Sequence, residues 1–276
     1  MLYYSLTRQG ILMLKNELVV KSNRLIEASY RLTLNEQRII LYAICRCREE
    51  QTGLLPDQPI VITADAFTNQ FPSARKSHVY QQLKEAMDAL YDRSVTLYET
   101  DEDTGHEQVS KTRWISKASY VDGAGRIKIV FTSDVIKYIT RLEAEFTSYQ
   151  LEKVGNMTSA YAVRIYELLT QYREIGSRTL SLVALREALG IEPEEYKLTS
   201  NFTRKVIDIS VEQINDHSDL TVSYKPLKTG RAITDFAFKI KIKSAKPKGQ
   251  VLTDQEIREH LEARGQQRID DPVEEF

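Results

Sequence analysis

Cysteine is almost absent from the 276 residues: there are two, Cys45 and Cys47. They stand two apart in a stretch of helical periodicity, where side chains at that spacing point in different directions, so they do not pair. A disulfide framework is excluded, which fits a reducing cytoplasm. Long apolar runs are missing too. The longest, such as Arg38 to Ile44, fall well short of the roughly 20 residues a membrane-spanning helix needs, and no membrane partner is expected. The patch Ile11-Leu12-Met13-Leu14 lacks the basic leader and small-residue cleavage site of an export signal. Histidine is scarce and dispersed, at His78, His106, His217 and His260, with no His-x-His pair to hold a metal. No Gly-x-x-x-x-Gly-Lys phosphate loop occurs, which argues against nucleotide hydrolysis, and no carboxylates stand in an acid-base or metal arrangement. The expectation is a chain without catalytic residues, metal or cofactor.

Net charge is also small, at −1, but it is unevenly laid out. From Lys197 to Lys248 there are eleven Lys/Arg against five Asp/Glu, a balance of +6, while 249–276 hold eight acids and three arginines. Near-neutrality thus hides a basic segment followed by an acidic tail. The length exceeds that of a typical single domain, and two are expected.

Periodicity predicts a helix from about Asn35 to Arg48, with Ile39, Ile40, Ala43 and Ile44 on its apolar face. Ile60-Val61-Ile62 follows as a short strand, and Thr63 can cap a short helix. Ser77 opens a third helix whose Val79, Leu83, Ala86, Met87 and Leu90 recur at helical spacing. Ser94 to Glu99 and Thr112 to Tyr120 then read as strands around a polar loop. The second half repeats this order: a helix over Ser159 to Tyr172 that stops before Gly176, a strand at Thr179-Leu180-Ser181, and a helix from Leu182 to Leu189 closed by Gly190. A third helix runs from about Ser200 to Asp216, with Phe202, Val206, Ile209 and Ile214 inward. Strands Leu220 to Tyr224 and Ala232 to Lys243 flank the Lys225 to Arg231 turn.

Landmarks lie at a nearly constant offset (Leu34 and Ser159, Ser77 and Phe202, Val95 and Thr221), which marks an internal duplication. Three short helices and a two-stranded wing make a winged helix. The predicted fold is α+β: two tandem winged-helix domains, over 1–132 and 151–248, joined by a connecting helix over 133–150 and followed by an acidic tail.

On the second domain's third helix, Asn201, Arg204, Lys205 and Asp208 remain outward, with Ser200 and Thr203 offering hydroxyls. Arg can bond guanine and Asn adenine bidentately. At the wing, Lys225, Lys228, Thr229 and Arg231 surround Gly230 and suit phosphate contacts that position without reading sequence. Lys239, Lys241 and Lys243 share one strand face, which either extends that track or is simply the solvent side. In the first domain, Arg75, Lys76, Ser77 and His78 open the third helix, but the loop Asp101-Glu102-Asp103 is acidic, so that domain is assigned mainly to protein contacts with some backbone binding.

The run Leu18-Val-Val-Lys-Ser-Asn-Arg-Leu-Ile-Glu-Ala, with Leu32-Thr-Leu-Asn-Glu-Gln-Arg-Ile-Ile-Leu-Tyr, resembles the opening of iteron-binding plasmid replication initiators. Ser159-Ala-Tyr-Ala-Val-Arg-Ile-Tyr-Glu-Leu-Leu is similar to the start of their second domain, and Leu180-Ser-Leu through Leu189-Gly to its next helix. The resemblance implies a second domain that reads double-stranded origin repeats in the major groove, with Asn201, Thr203, Arg204 and Lys205 on its recognition helix. It implies a first domain, beginning near Arg31, Leu32 and Thr33, that serves dimerisation and backbone contact. It also implies a homodimer in equilibrium with monomer, autorepression by the dimer, origin opening, and recruitment of the host initiator and replicative helicase. A winged-helix transcriptional repressor without initiation activity is the alternative.

Overall fold

Cap chemistry and strand alternation lay out the elements in order. In the computed structural model, which describes residues 17–72, 78–101, 103–121, 123–140 and 145–244, β1 (Leu18–Ser22) leads into α1 (Asn23–Glu27), capped by Ser22. A reciprocal capping box starts α2 (Leu34–Glu50): the Thr33 hydroxyl accepts from the Glu36 N–H, and the Glu36 carboxylate accepts from the Thr33 N–H at 2.8 Å. Next come β2 (Ile60–Thr63), α3 (Ala64–Gln70) capped by Thr63, and α4 (Val79–Asp92). Four strands follow, β3 (Ser94–Thr100), β4 (Glu107–Arg113), β5 (Ile115–Val121) and β6 (Arg126–Phe131), then α5 (Ser133–Thr140) and β7 (Phe146–Gln150).

The second half holds α6 (Glu152–Gly155), α7 (Ala160–Thr170) capped by Ser159, β8 (Ser177–Ser181), and α8 (Leu182–Ala188) capped by Ser181. A continuous helix α9 follows, built of Thr199–Phe202, a π-helical Thr203–Asp208 and Ile209–His217. The hairpin β9 (Leu220–Thr229) and β10 (Ala232–Ile242) ends the series. The elements up to Ile242 belong to one compact unit.

Sheet order shows the duplication more sharply than the sequence does. One antiparallel sheet runs β2-β6-β5 and the other β8-β10-β9. In each, the strand between the first two helices pairs with the last strand of a hairpin, which is winged-helix topology. The wing of the first domain is therefore β5–β6, turning through Gly123 and Gly125 at φ +80° and +57°. The hairpin β3–β4, with its acidic loop, is an insertion that forms a sheet of its own. The expected strand Thr112 to Tyr120 is in fact two, split at the fully buried Trp114, because β4 and β5 serve different sheets.

The expected connecting helix over 133–150 is also corrected. Its described part is Ser133–Thr140, and Phe146–Gln150 is a strand paired antiparallel with β1, Leu18 opposite Gln150. Ser77, the expected opening of α4, lies outside the described residues, as do Arg75 and Lys76. His78 stands before the helix at φ +65° without a side-chain cap bond.

A buried ionic cluster joins the two halves. Glu167 of α7 receives Lys21 Nζ at 2.6 Å, the Tyr149 hydroxyl at 2.6 Å and Arg164 at 2.9 Å. Arg164 also donates to the carbonyls of Ile26, Ala28 and Ala188 and lies 3.8 Å over the Tyr30 ring. Burial alone would raise the Glu167 carboxyl, but Lys21 and Arg164 outweigh it and hold it below the ordinary value. Gly190 permits the closest backbone approach at this junction, since a Cβ there would sit 2.7 Å from the Tyr30 carbonyl oxygen.

Candidate nucleic-acid interface

The third helix of the second domain does not keep the period the sequence implies. After Val79, the buried positions in α4 are Leu83, Ala86, Met87 and Leu90, whereas in α9, ahead of Ile214, they are Phe202, Val206, Ile207 and Ser210. The steps are three, one, three in the first and four, one, three in the second. One extra residue has been inserted, and a π turn is the form such an insertion takes in a helix. Ile209, expected inward, is consequently 38% exposed, and Ile207 and Ser210 take the buried sites.

Arg204 and Lys205 are both exposed, within this π segment. Ser200 is exposed and Asn201 half-buried, while the Thr203 hydroxyl donates to the Thr199 carbonyl at 2.9 Å. Lys197 and Leu198, just ahead of the helix, are exposed as well. Among the described residues, Lys197, Arg204, Lys205, Lys228 and Arg231 enter no ion pair. Some exposed cations elsewhere find carboxylates, as Arg113 finds Asp92 at 3.0 Å, whereas others, such as Lys111, Lys239 and Lys241, are likewise without an ion pair.

Strand alternation sorts the wing lysines into two sets. Leu220, Val222 and Tyr224 of β9 face the helices with Phe236, Phe238 and Ile240 of β10. Lys228 shares the side of Tyr224; Lys225 lies on the opposite, solvent side with Ser223, Lys239 and Lys241. Thr229, Gly230 and Arg231 form the exposed tip, with Gly230 at φ +63°. Alternation thus puts Lys228 on the side of the wing that faces the helices and Lys225 on the other, while Arg204 and Lys205 stand exposed on α9 and Arg231 at the tip.

The wing is tied to the helix at its base. The Tyr224 hydroxyl donates to Asp208 Oδ1 at 2.5 Å, about one helical turn beyond Arg204. Asn215, farther along α9, donates to the Val222 carbonyl at 2.9 Å and accepts from its N–H at 2.6 Å.

In the first domain, sequence reasoning missed the wing altogether. Its β5–β6 hairpin carries Lys117 and Arg126, both exposed, and the half-buried Lys128. The signal was the Gly123-Ala124-Gly125 turn between alternating strands, eclipsed by the more conspicuous acidic loop upstream. Beside the wing, the Tyr120 hydroxyl donates to Asp88 of α4, and Lys84 Nζ lies 4.9 Å from the Tyr120 ring centre.

Comparison with known proteins gives concordant results. Residues 18–170 match the family described as Initiator Replication protein, WH1, and residues 181–240 the one described as Initiator Rep protein, WH2. The structure is similar to that of the Pi initiator protein in complex with iteron DNA, at a TM-score of 0.68 and 19% identity, covering 84% of this chain and 99% of that one. A match of 35% identity and TM-score 0.35 is found to the WH1 domain of MSBI1.176, a replication protein isolated from a multiple sclerosis patient, covering 41% of this chain and 83% of that one. An uncharacterized 27.6 kDa protein of Escherichia coli is 22% identical over 214 residues, 75% of this chain and 88% of that protein.

Proposed function

The chain belongs to the family of plasmid replication initiators with WH1 and WH2 domains, and from that premise we propose that it binds directly repeated origin sites, opens the adjacent duplex and recruits the host initiator and replicative helicase. The observation that carries the reading is that the exposed cations of the third helix, Arg204 and Lys205, and of the wing, Lys228 and Arg231, enter no ion pair. Arg204 reads a base edge, Lys205 and the wing hold phosphates, and the half-buried Asn201 supports the same reading at the helix start. The work is done by binding and recruitment, not by catalysis, and it takes place in the cytoplasm. No helix among the described residues is long and apolar enough to cross a membrane.

The first domain adds backbone contact through Arg126 and Lys117 and pairs two copies as a dimer that represses its own gene. Support for pairing comes from β4, whose outer edge has no strand partner among the described residues. Its exposed Val109 stands across from the exposed Tyr98. The test selects the preferred duplex from a randomised pool and places direct repeats of it on a plasmid lacking any other origin. Wild-type protein should sustain that plasmid. Arg204→Ala, at unchanged Tm, should not. Repeats that are bound but never melted or replicated would leave a repressor instead.

A further inference from the structure

We infer that Tyr224 with Asp208, and Tyr120 with Asp88, are positioning pairs that fix each wing against its third helix and so set where the helix's outward cations point. The inference rests on the DNA-binding reading above. Its basis is a construction found twice. In each third helix a cation precedes an aspartate by four residues, Lys84 and Asp88 in α4, Arg204 and Asp208 in α9, and each aspartate accepts a hydrogen bond from a tyrosine on the first strand of the wing. Both helix residues lie 120 positions from their counterparts, which is the offset of the buried triplets Ala86, Met87, Leu90 and Val206, Ile207, Ser210.

An exposed aspartate on a surface that meets a polyanion repels phosphate, so its presence there needs a reason. The tyrosine supplies one. It draws the carboxylate toward the wing base, and burial together with the Asp208 carboxylate raises the Tyr224 phenol, keeping it a donor at ordinary pH. Asp208 also closes the π segment, so the pair anchors the helix where its register has just shifted by one residue. The two copies differ in the cation. Lys84 rests on the Tyr120 ring, whereas Arg204 is exposed without an ion pair, free to enter a groove.

The test uses the full-length chain. Tyr224→Phe removes one hydroxyl and leaves the ring packed near Phe236 and Phe238, at 5.8 and 6.0 Å between centres. Affinity is measured for the selected repeat duplex and for a scrambled duplex. Tyr224→Phe should keep wild-type Tm, scrambled-duplex affinity and salt dependence, yet bind the repeat about tenfold more weakly. Asp208→Asn, which retains an acceptor for the Tyr224 hydroxyl, should keep most of the wild-type affinity. A purely structural bond would instead lower Tm and leave the repeat-to-scrambled ratio intact, and that result overturns the proposal. So does a change of base preference at one position in Asp208→Asn with none in Tyr224→Phe, since Asp208 would then be reading a base. A wild-type chain that fails to discriminate the repeat defeats the functional reading and this one with it; a Tyr224→Phe variant with the wild-type ratio defeats only this one.

Discussion

Replacing Arg204 and Lys205 together by alanine should change how DNA binding responds to salt by an amount the structure allows one to compute. Five exposed cations without ion pairs, Lys197, Arg204, Lys205, Lys228 and Arg231, line the helix and wing of the second domain. Each phosphate neutralised contributes about 0.9 to the slope of log K against log salt, so the four other than the base-reading Arg204 give about 3.6. Between 50 and 200 mM salt that slope weakens wild-type binding by about 150-fold, and a slope of about 2.7 in the double variant by about 40-fold. The singles should separate. Lys205→Ala loses affinity equally for repeat and scrambled duplexes, as a phosphate contact does. Arg204→Ala loses roughly 1–3 kcal/mol more on the repeat, as a bidentate base contact does. Fluorescence anisotropy with both duplexes across a salt series measures all of this. Lys239→Gln with Lys241→Gln serves as control, because those lysines face the solvent side of the sheet and their loss should leave the slope unchanged. If that control lowers the slope while Arg204→Ala with Lys205→Ala does not, DNA sits on the other face and the site is wrong.

Arg164→Met removes a buried cation from Glu167 and strands the carbonyls of Ile26, Ala28 and Ala188. Breaking a buried pair costs about 3–5 kcal/mol, so Tm should fall by on the order of 10 °C. Glu167 is held below its unfolded value, so its contribution is present above that value and lost as pH falls through the folded one. Without Arg164, acid unfolding should start at a higher pH; fluorescence of Trp114 against pH reads it, and an unchanged acid midpoint would refute the account. Burial raises both thiols, Cys47 to about 12, so in native protein neither should react with a thiol-specific reagent, and labelling should track unfolding in urea. Val109→Asp places a charge on the open β4 edge and should shift sedimentation toward monomer without lowering Tm.

Much of the helical frame is legible because its signals are local. Thr63 and Ser181 each stand at a helix start with a hydroxyl suited to cap it, and the structure places the caps there. What misleads is non-local. Phe146 to Gln150 becomes a strand because β1, more than a hundred residues upstream, offers it an edge, and nothing within the segment announces that partner. The first wing is displaced in the sequence reading by an inserted hairpin that looks like a wing. In α9 the error is one of register: a single added residue at the π turn moves Ile209 outward, and a sequence read with a constant period has no means of registering it. The outward positions nearest the insertion, Arg204 and Lys205, are nonetheless charged and so remain identifiable by composition.

The ionic cluster at the junction explains how two repeated domains come to act as one body. Lys21 belongs to β1, Arg164 and Glu167 to α7, and none is more than 3% exposed at its side chain. Two cations and one carboxylate removed from water are a poor source of net stability, since desolvation consumes most of the Coulombic gain. Geometry is where they matter. Lys21 reaches across the boundary to Glu167, Arg164 reaches across it to the carbonyls of Ile26 and Ala28, and Gly190 meets the Tyr30 carbonyl at a distance no side chain would permit. Sliding one domain over the other by a single residue would leave buried charges without partners, at several kcal/mol each. The relative placement of α4 and α9 is therefore fixed by the junction, and under the proposed function it would set the spacing along a duplex at which both helix-and-wing surfaces engage together.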